Sequence, residues 1–304
     1  MRVLVTGRNG QVGRALTRVL AEGCELVALD RHGLDLEQAD ALGPALSRID
    51  PDVIVNAAAY TGVDRAESEP RRAFAVNSEA PDAIARWARI HGSALIHLST
   101  DYVFDGAKRE PYLEEDATAP LSVYGRSKLE GEQALAASGC AWLVLRSSWL
   151  YGTSGSNFFN TMLRLSRERE SISVVDDQRG APTAVEPLAA LIGELIARAG
   201  SSRETQAASL RERGGIFHAT CSGSTSWFGF AQRIFASVPD AERRLKTLLP
   251  VDSASYPSAA RRPANSVLSS ARLSCLWNLA LPAWDEALAQ VAAEARGLGA
   301  SPRQ

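Results

Sequence analysis

The chain has 304 residues, with 33 basic and 35 acidic side chains, a formal net charge of −2, 45% apolar and 22% charged residues. This composition excludes a disordered chain, and the near-neutral charge gives no general field for gripping nucleic acid or an anionic membrane. At about 150 residues per domain the length predicts two domains, or one domain with a large insertion, with core enough to fold without metal or disulfide staples.

The first half alternates strand-like and helix-like segments. An apolar strand at 3–5 ends in a glycine-rich turn, and helical spacing follows over 11–22. A second strand, 25–29, ends at Asp30, and a helix is predicted over 37–48. A third strand, 53–55, ends at Asn56. Residues 66–90 read as helical with a break near Pro81, and a fourth strand, 94–98, ends at Ser99 and Thr100. A helix over 127–137 and a strand over 142–145 complete the half. Near-continuous apolar strands between amphipathic helices predict an α/β fold with a doubly wound parallel sheet (Rossmann) buried on both faces.

The second half is less regular. Helices are expected over 157–170, 185–198 and 228–238, the polar stretch 199–215 reads as a mobile loop, and 296–304 as a flexible tail. The predicted division is a nucleotide-binding domain over 1–148 and a smaller substrate-binding lid over 149–295 that returns elements to the main sheet. Cys24, Cys140, Cys221 and Cys275 lie far apart and the four histidines form no HxxxH, so no metal site is expected. With no charged leader and no apolar run of membrane-spanning length, a cytoplasmic protein is expected.

Thr6-Gly7-Arg8-Asn9-Gly10-Gln11-Val12-Gly13 spaces its glycines GxxGxxG between a strand and a helix. Gly7 suits a tight turn, Gly10 lets backbone approach a pyrophosphate, Gly13 lets helix pack on strand, and the helix N-terminus offers N–H groups to phosphates. Asp30, ending the next strand, suits a ribose diol, whereas Arg8 and Arg31 could clamp a 2′-phosphate. NAD and NADP both stay open. Asp35 and Leu36 are candidates for the adenine side. Ala57, Ala58 and Ala59, with Tyr60 and Thr61, would let backbone lie against the middle of the cofactor.

Tyr124-Gly125-Arg126-Ser127-Lys128 reads YxxxK, which on a helix puts Tyr124 and Lys128 on one face. A free phenol has a pKa of about 10. A neighbouring ammonium lowers it, making Tyr124 a usable proton donor to a ketone under reduction. Lys128 could also hold the nicotinamide ribose. The Thr100 hydroxyl, at a strand end facing the crevice, could share the developing charge on the carbonyl oxygen.

With these motifs the chain resembles the extended short-chain dehydrogenase/reductase family. Within it the chain is similar to members that reduce the C4 ketone of a dTDP-linked 6-deoxy sugar. The stretches that carry the resemblance are 5–13, 51–61, 63–67, 98–106, 123–129, 146–149, 177–183 and 262–266, spread over nearly the whole chain, with Ser99 to Gly106 the most specific. The resemblance implies Thr100, Tyr124 and Lys128 as the catalytic set. It implies Gln11, Val12, Asp30, Asp35, Leu36, Ala59, Tyr60 and Thr61 at an NADPH or NADH cofactor. It sets Thr100, Asp101, Tyr102 and Trp149 against a nucleotide-sugar substrate. Some members hold magnesium between subunits through a glutamate just after the third motif glycine. Arg14 and Ala15 stand there in this chain, although Glu186 is in place. The expectation is therefore no magnesium bridge, and a monomer or weak homodimer. Another 4-ketoreductase, a 4-epimerase or a regulatory subunit like that of methionine adenosyltransferase would share the fold. A dehydratase is disfavoured because Thr100-Asp101-Tyr102 carries one acid rather than a pair.

Overall fold

The structure, a computed structural model, describes residues 1–239 and 242–299. At its centre lie six parallel strands: β1 (Arg2–Thr6), β2 (Glu25–Leu29), β3 (Val53–Asn56), β4 (Ala94–Thr100), β5 (Ala141–Ser147) and β6 (Gly215–His218). Their spatial order is β6-β5-β4-β3-β1-β2. Alternate residues of a strand face opposite ways, so strands apolar throughout need cover on both sides. Val3, Val5, Val53, Val55, Leu143 and Leu145 enter one apolar cluster, and Leu4, Ile54, Leu95 and Val144 enter the other.

Helices α1 (Gln11–Leu20) and α6 (Val185–Ala199) cover the first face with Leu16, Leu20, Leu188, Ile192 and Leu195. On the second, α2 (Ala39–Ile49), α3 (Ala80–His91) and α4 (Val123–Ser138) contribute Leu42, Leu46, Ile84, Trp87 and Leu135. The second half also supplies α5 (Phe158–Glu168), α7 (Arg203–Arg213), α8 (Trp227–Ala236) and α9 (Trp284–Gly299), and Thr247–Val251 pairs in parallel with Ser171–Val175. Of the expected tail, 296–299 belong to α9 and 300–304 lie outside the described residues. Among the described residues no helix is long and apolar enough to cross a membrane.

Two segments differ from expectation. The break within 66–90 is not at Pro81, which sits in the first turn of α3 where its missing N–H costs nothing. It lies at Ala75–Glu79, a five-residue π-helical stretch after the short helix Pro70–Phe74. There buried Asn77 accepts from Tyr60 N (2.9 Å) and donates to Tyr60 O and Ser127 Oγ (both 3.0 Å). The polar stretch 199–215 is not a loop: it holds α7. Ser202 and Thr205 form a capping box, and Gln206, Ala207 and Leu210 are buried. Gln206 Nε2 donates to the carbonyls of Ile196 and Gly200, both at 2.6 Å.

Candidate active site

The chain passes from β1 outward to β2, then crosses back to β3 on the other side of β1. Such a reversal opens a crevice at the carboxyl ends of the strands, where open α/β sheets bind ligands. The glycine turn sits in it. Gly7 has φ +72°, and a Cβ on it would lie 2.8 Å from Ala58 Cα at the end of β3. A Cβ on Gly13 would lie 2.1 Å from the Gly7 carbonyl oxygen, so only glycine lets α1 start hard against the turn. Gly10 meets nothing nearer than 3.2 Å and caps α1 without a side-chain hydrogen bond. The first N–H groups of the helix, from Gln11 and Val12 on, thus stay available to an anion. These residues fit a dinucleotide pyrophosphate.

Around the turn the sequence-predicted residues take different parts. Asp30 accepts from Asn9 Nδ2 (2.9 Å) and from the backbone of His32 and Gly33, and the Gly33 N–H above all holds its carboxyl below the usual range. Arg31 pairs with Glu37 (2.8 Å) and Asp35 (3.5 Å), so its guanidinium is committed to carboxylates. Arg8 instead lines a crevice of about 410 Å³ with Arg14, Arg18 and Glu294. Leu36 and Val12 are core residues. Ala57 and Ala58 follow β3 into the crevice, and Ala58 N donates to Thr6 Oγ1 (3.2 Å). Ala59 is half-buried, Thr61 is exposed, and the Tyr60 hydroxyl donates to Glu69 (3.0 Å).

Thr100, at the carboxyl end of β4, caps a short 3₁₀ turn over Asp101–Val103 and donates to Asp101 Oδ1 at 3.0 Å. Helix α4 lies against this turn because residue 125 is glycine: a Cβ there would sit 2.3 Å from the Tyr102 carbonyl oxygen. Ser122 caps α4 by accepting from Gly125 N, and Glu67 accepts from Val123 N. The close approach brings the half-buried Tyr124 to the Thr100 hydroxyl, with Tyr102 edge-on at 5.7 Å between ring centroids. Burial pushes the Asp101 carboxyl up to about 6, partly offset by the hydroxyls of Ser266 and Thr100. Its Oδ2 is buried without a hydrogen-bond partner among the described residues.

The tuning expected of Lys128 is not what the structure holds. Its buried amine bonds to His97 Nε2 (3.1 Å) and donates to the Leu98 carbonyl (2.6 Å), turning toward β4 rather than Tyr124. Burial therefore governs both groups, pushing the Tyr124 phenol up to about 12 and Lys128 down to about 8. An i,i+4 spacing fixes where two Cβ atoms lie, not where a four-carbon side chain ends.

Trp149 carries φ +48°, uncommon for a bulky residue, and stacks on Trp227 with centroids 3.5 Å apart. A Cβ on Gly180 would lie 2.4 Å from the Trp149 ring, so glycine makes room for the indole. Several residues here were given no role from the sequence. Arg262 ties Asp64 (2.6 Å) to the Tyr102 hydroxyl, and Gly106 packs on Pro263 and Ala264, bringing the segment that carries Ser266 over Asp101. Beneath Thr100, Arg146 and Glu132 form a buried ion pair at 2.6 Å, and Glu132 also accepts from Ser99. The 262–266 run was visible as a motif. The Glu132–Arg146 pairing was not, since nothing local links them.

Residues 1–296 match the family model described as RmlD substrate binding domain. The chain belongs to this family. It is 45% identical over 288 residues to a dTDP-4-dehydrorhamnose reductase of Burkholderia thailandensis, covering 93% of this chain and 95% of that protein. Among solved structures it is similar to a dTDP-4-dehydrorhamnose reductase of Clostridium acetobutylicum (TM-score 0.88, 33% identity, 97% of this chain and 100% of that one). It is similar also to one from Bacillus anthracis in complex with NADP (TM-score 0.86, 37% identity, 96% and 99%). At Glu186, where some family members hold magnesium, Oε1 pairs with Arg18 at 2.9 Å and Oε2 is buried without a hydrogen-bond partner among the described residues.

Proposed function

We propose that this chain reduces the C4 ketone of dTDP-4-dehydro-β-L-rhamnose to dTDP-L-rhamnose with a nicotinamide cofactor. The reading rests on one observation above all: the Tyr124 phenol comes to the Thr100 hydroxyl at the carboxyl end of β4, on the same sheet edge as the glycine turn after β1. A bound NADPH or NADH would supply the hydride to C4. The residues then serve the oxygen. As negative charge gathers there, the Thr100 hydroxyl steadies it and the Tyr124 Oη–H delivers the proton. A phenol pushed up to about 12 stays protonated at neutral pH and is still a stronger acid than the sugar alcohol it creates. Lys128 would hold the nicotinamide ribose. The unpartnered Oδ2 of Asp101 would accept from a sugar hydroxyl, and Tyr102 and Trp149 would wall the sugar. The reading makes the chain a cytoplasmic enzyme, monomeric or weakly dimeric.

The test is an absorbance assay. The 4-keto-6-deoxy-L-sugar nucleotide is generated in situ by a 3,5-epimerase, and loss of NADPH and of NADH is followed. Consumption that requires both the ketone and this chain supports the proposal. No consumption by folded protein, with the ketone shown to be present, overturns it.

A further inference from the structure

Thr100 on β4 pairs with Ser147 on β5, and Trp149 stands two residues further on, so it leaves the sheet at the same edge as Thr100. Its backbone is pinned on both sides. Ser148 Oγ donates to Ala181 O (2.8 Å), Thr183 N donates to Trp149 O (3.2 Å), and Leu150–Tyr151 pairs in parallel with Thr183–Ala184. Between these ties the φ of +48° is a strained state for a bulky residue, and such a state persists only where the surroundings over-determine it. Two neighbours of the indole do so here. Trp227 stacks on it with the ring planes 6° apart, and the Gly180 backbone lies so close that a Cβ there would come within 2.7 Å of Cε2, Cζ2 and Nε1. One local pairing places both neighbours. Thr225 pairs with Gly180 and Ser226 with Arg179, and Ser226 then caps α8 by accepting from Gly229 N (3.0 Å), so that Trp227 opens this helix against Trp149. Phe158 packs on Trp227 in turn, with centroids 4.6 Å apart.

We propose that Trp227 is a positioning residue for the sugar site: stacked on Trp149, it holds that indole at one angle toward the sugar of the nucleotide-sugar substrate. The inference rests on the reductase reading, which sets Trp149 against the sugar. It adds a residue to which neither the sequence motifs nor that reading gives a part. The physical reason is rotamer freedom. Trp149 is half-buried, and an indole at the rim of a crevice turns about two side-chain bonds unless something holds it. A side chain that must be ordered when a ligand arrives costs affinity, whereas a ring already stacked has lost that freedom in the free protein. A stacked aromatic pair also contributes more than its buried area alone. Trp227 has the Trp149 ring on it and Phe158 against it, so its effect reaches the sugar through Trp149. That effect belongs to the sugar and not to the nucleotide that carries it.

The chain has six tryptophans, so the Trp149 indole N–H can be assigned by substitution in proton–nitrogen spectra. In Trp227→Leu that signal should move downfield, because the ring that shields it is gone. In the wild type dTDP-L-rhamnose should shift it, and dTDP alone should not. By calorimetry Trp227→Leu should bind dTDP-L-rhamnose about three- to tenfold more weakly than the wild type, the range that an aromatic pair accounts for, and dTDP equally well. Gly180→Ala disturbs the same indole from its other neighbour and should do likewise, so the outcome does not hang on whether one variant folds. An unmoved Trp149 signal in Trp227→Leu, an unchanged affinity for dTDP-L-rhamnose, or equal losses for dTDP and dTDP-L-rhamnose overturns the proposal. A wild type that neither binds dTDP-L-rhamnose nor reduces the ketone removes the reductase reading, and this inference with it. A wild type that does both, beside variants that bind the sugar nucleotide equally well, removes the inference alone.

Discussion

Burial acts the same way on Tyr124, Asp101 and Lys128: it disfavours charge. It pushes Tyr124 up to about 12 and Asp101 up to about 6, and it pulls Lys128 down to about 8. For Tyr124 the consequence is that the protonated hydroxyl, not a phenolate, stands at the site at neutral pH, the form that the proposed role of proton donor needs. Tyr124→Phe keeps the ring against Tyr102 but removes that proton, and turnover should fall by about 10²–10⁴ with NADPH affinity retained. Steady-state kinetics beside a fluorescence binding titration separate the two, and near wild-type turnover would refute the proton-donor role. For Asp101 the consequence is a pH-dependent cost. Between about pH 3.8 and 6 the folded carboxyl keeps a proton that the unfolded one has lost. Stability therefore falls as pH rises through that window, and the full cost stands above it. Asp101→Asn is neutral at every pH and should be more stable than wild type by on the order of 1–3 kcal/mol at pH 8, with the gain gone near pH 4. Urea unfolding at the two pH values checks this, and an equal difference at both would contradict it.

At the scale of elements, the sequence was legible wherever the decisive contacts are local. The GxxGxxG turn, the strand ends at Asp30, Asn56 and Thr100, and the helix bearing Tyr124 follow from periodicity and turn chemistry over a few residues. Helix α7 was missed because its signal is weak: Ala207 and Leu210 are its only apolar buried residues, and its capping box ends in Thr205 rather than the usual Glu or Gln. Its start depends on that cap, so Ser202→Ala should cost about 1 kcal/mol in urea unfolding. A change within error would mean that the cap adds nothing. The direction of Lys128 was illegible for another reason: its amine meets His97 of β4 at 3.1 Å, His97 meets Asn56 of β3 at 3.0 Å, and Asn56 meets Thr6 of β1 at 2.7 Å, and pairings across about 30 to 50 residues leave no local pattern. The β1–α1 unit also separates two arginines that the sequence left equivalent. Arg31 is held by Glu37 and Asp35, whereas Arg8 has no ion pair with a carboxylate among the described residues and its backbone N–H donates to Leu29 O beside Asp30 at 3.0 Å. We expect an adenosine 2′-phosphate near Asp30 to meet Arg8. Arg8→Ala should weaken NADPH by about tenfold, the worth of one charge-assisted contact, and leave NADH unchanged. Equal losses for the two cofactors would remove Arg8 from 2′-phosphate recognition.

Across the whole molecule, the two halves share one sheet and one core. Strand β6 comes from residues 215–218 yet pairs with β5 along its length, from Gly215 against Leu143 to His218 against Arg146. Ala219 N donates to Arg146 O (2.8 Å), and Ser147 Oγ donates to Ala219 O (2.9 Å). On the sheet face, Leu16 and Leu20 of α1 share a cluster with Leu188, Ile192 and Leu195 of α6. The sequence predicts that the second half returns elements to the main sheet, but a four-residue strand about 70 residues downstream of its neighbour carries too little pattern to be placed, which is why a boundary at 148 looks natural in the sequence. We infer that residues 1–148 are not a unit that folds alone. Cut there, the chain would expose the edge of β5, whose Ala141, Leu143, Leu145 and Arg146 are at most 2% exposed in the intact molecule, and strip the cover from α1. Burial of apolar area is the main favourable term in folding, and a fragment robbed of one helical layer keeps the entropy cost of its own residues without it. The full chain should thus melt in one cooperative transition by calorimetry and circular dichroism, while residues 1–148 expressed alone show no sharp transition. A fragment with its own cooperative melt and retained NADPH binding would restore the boundary that the sequence drew.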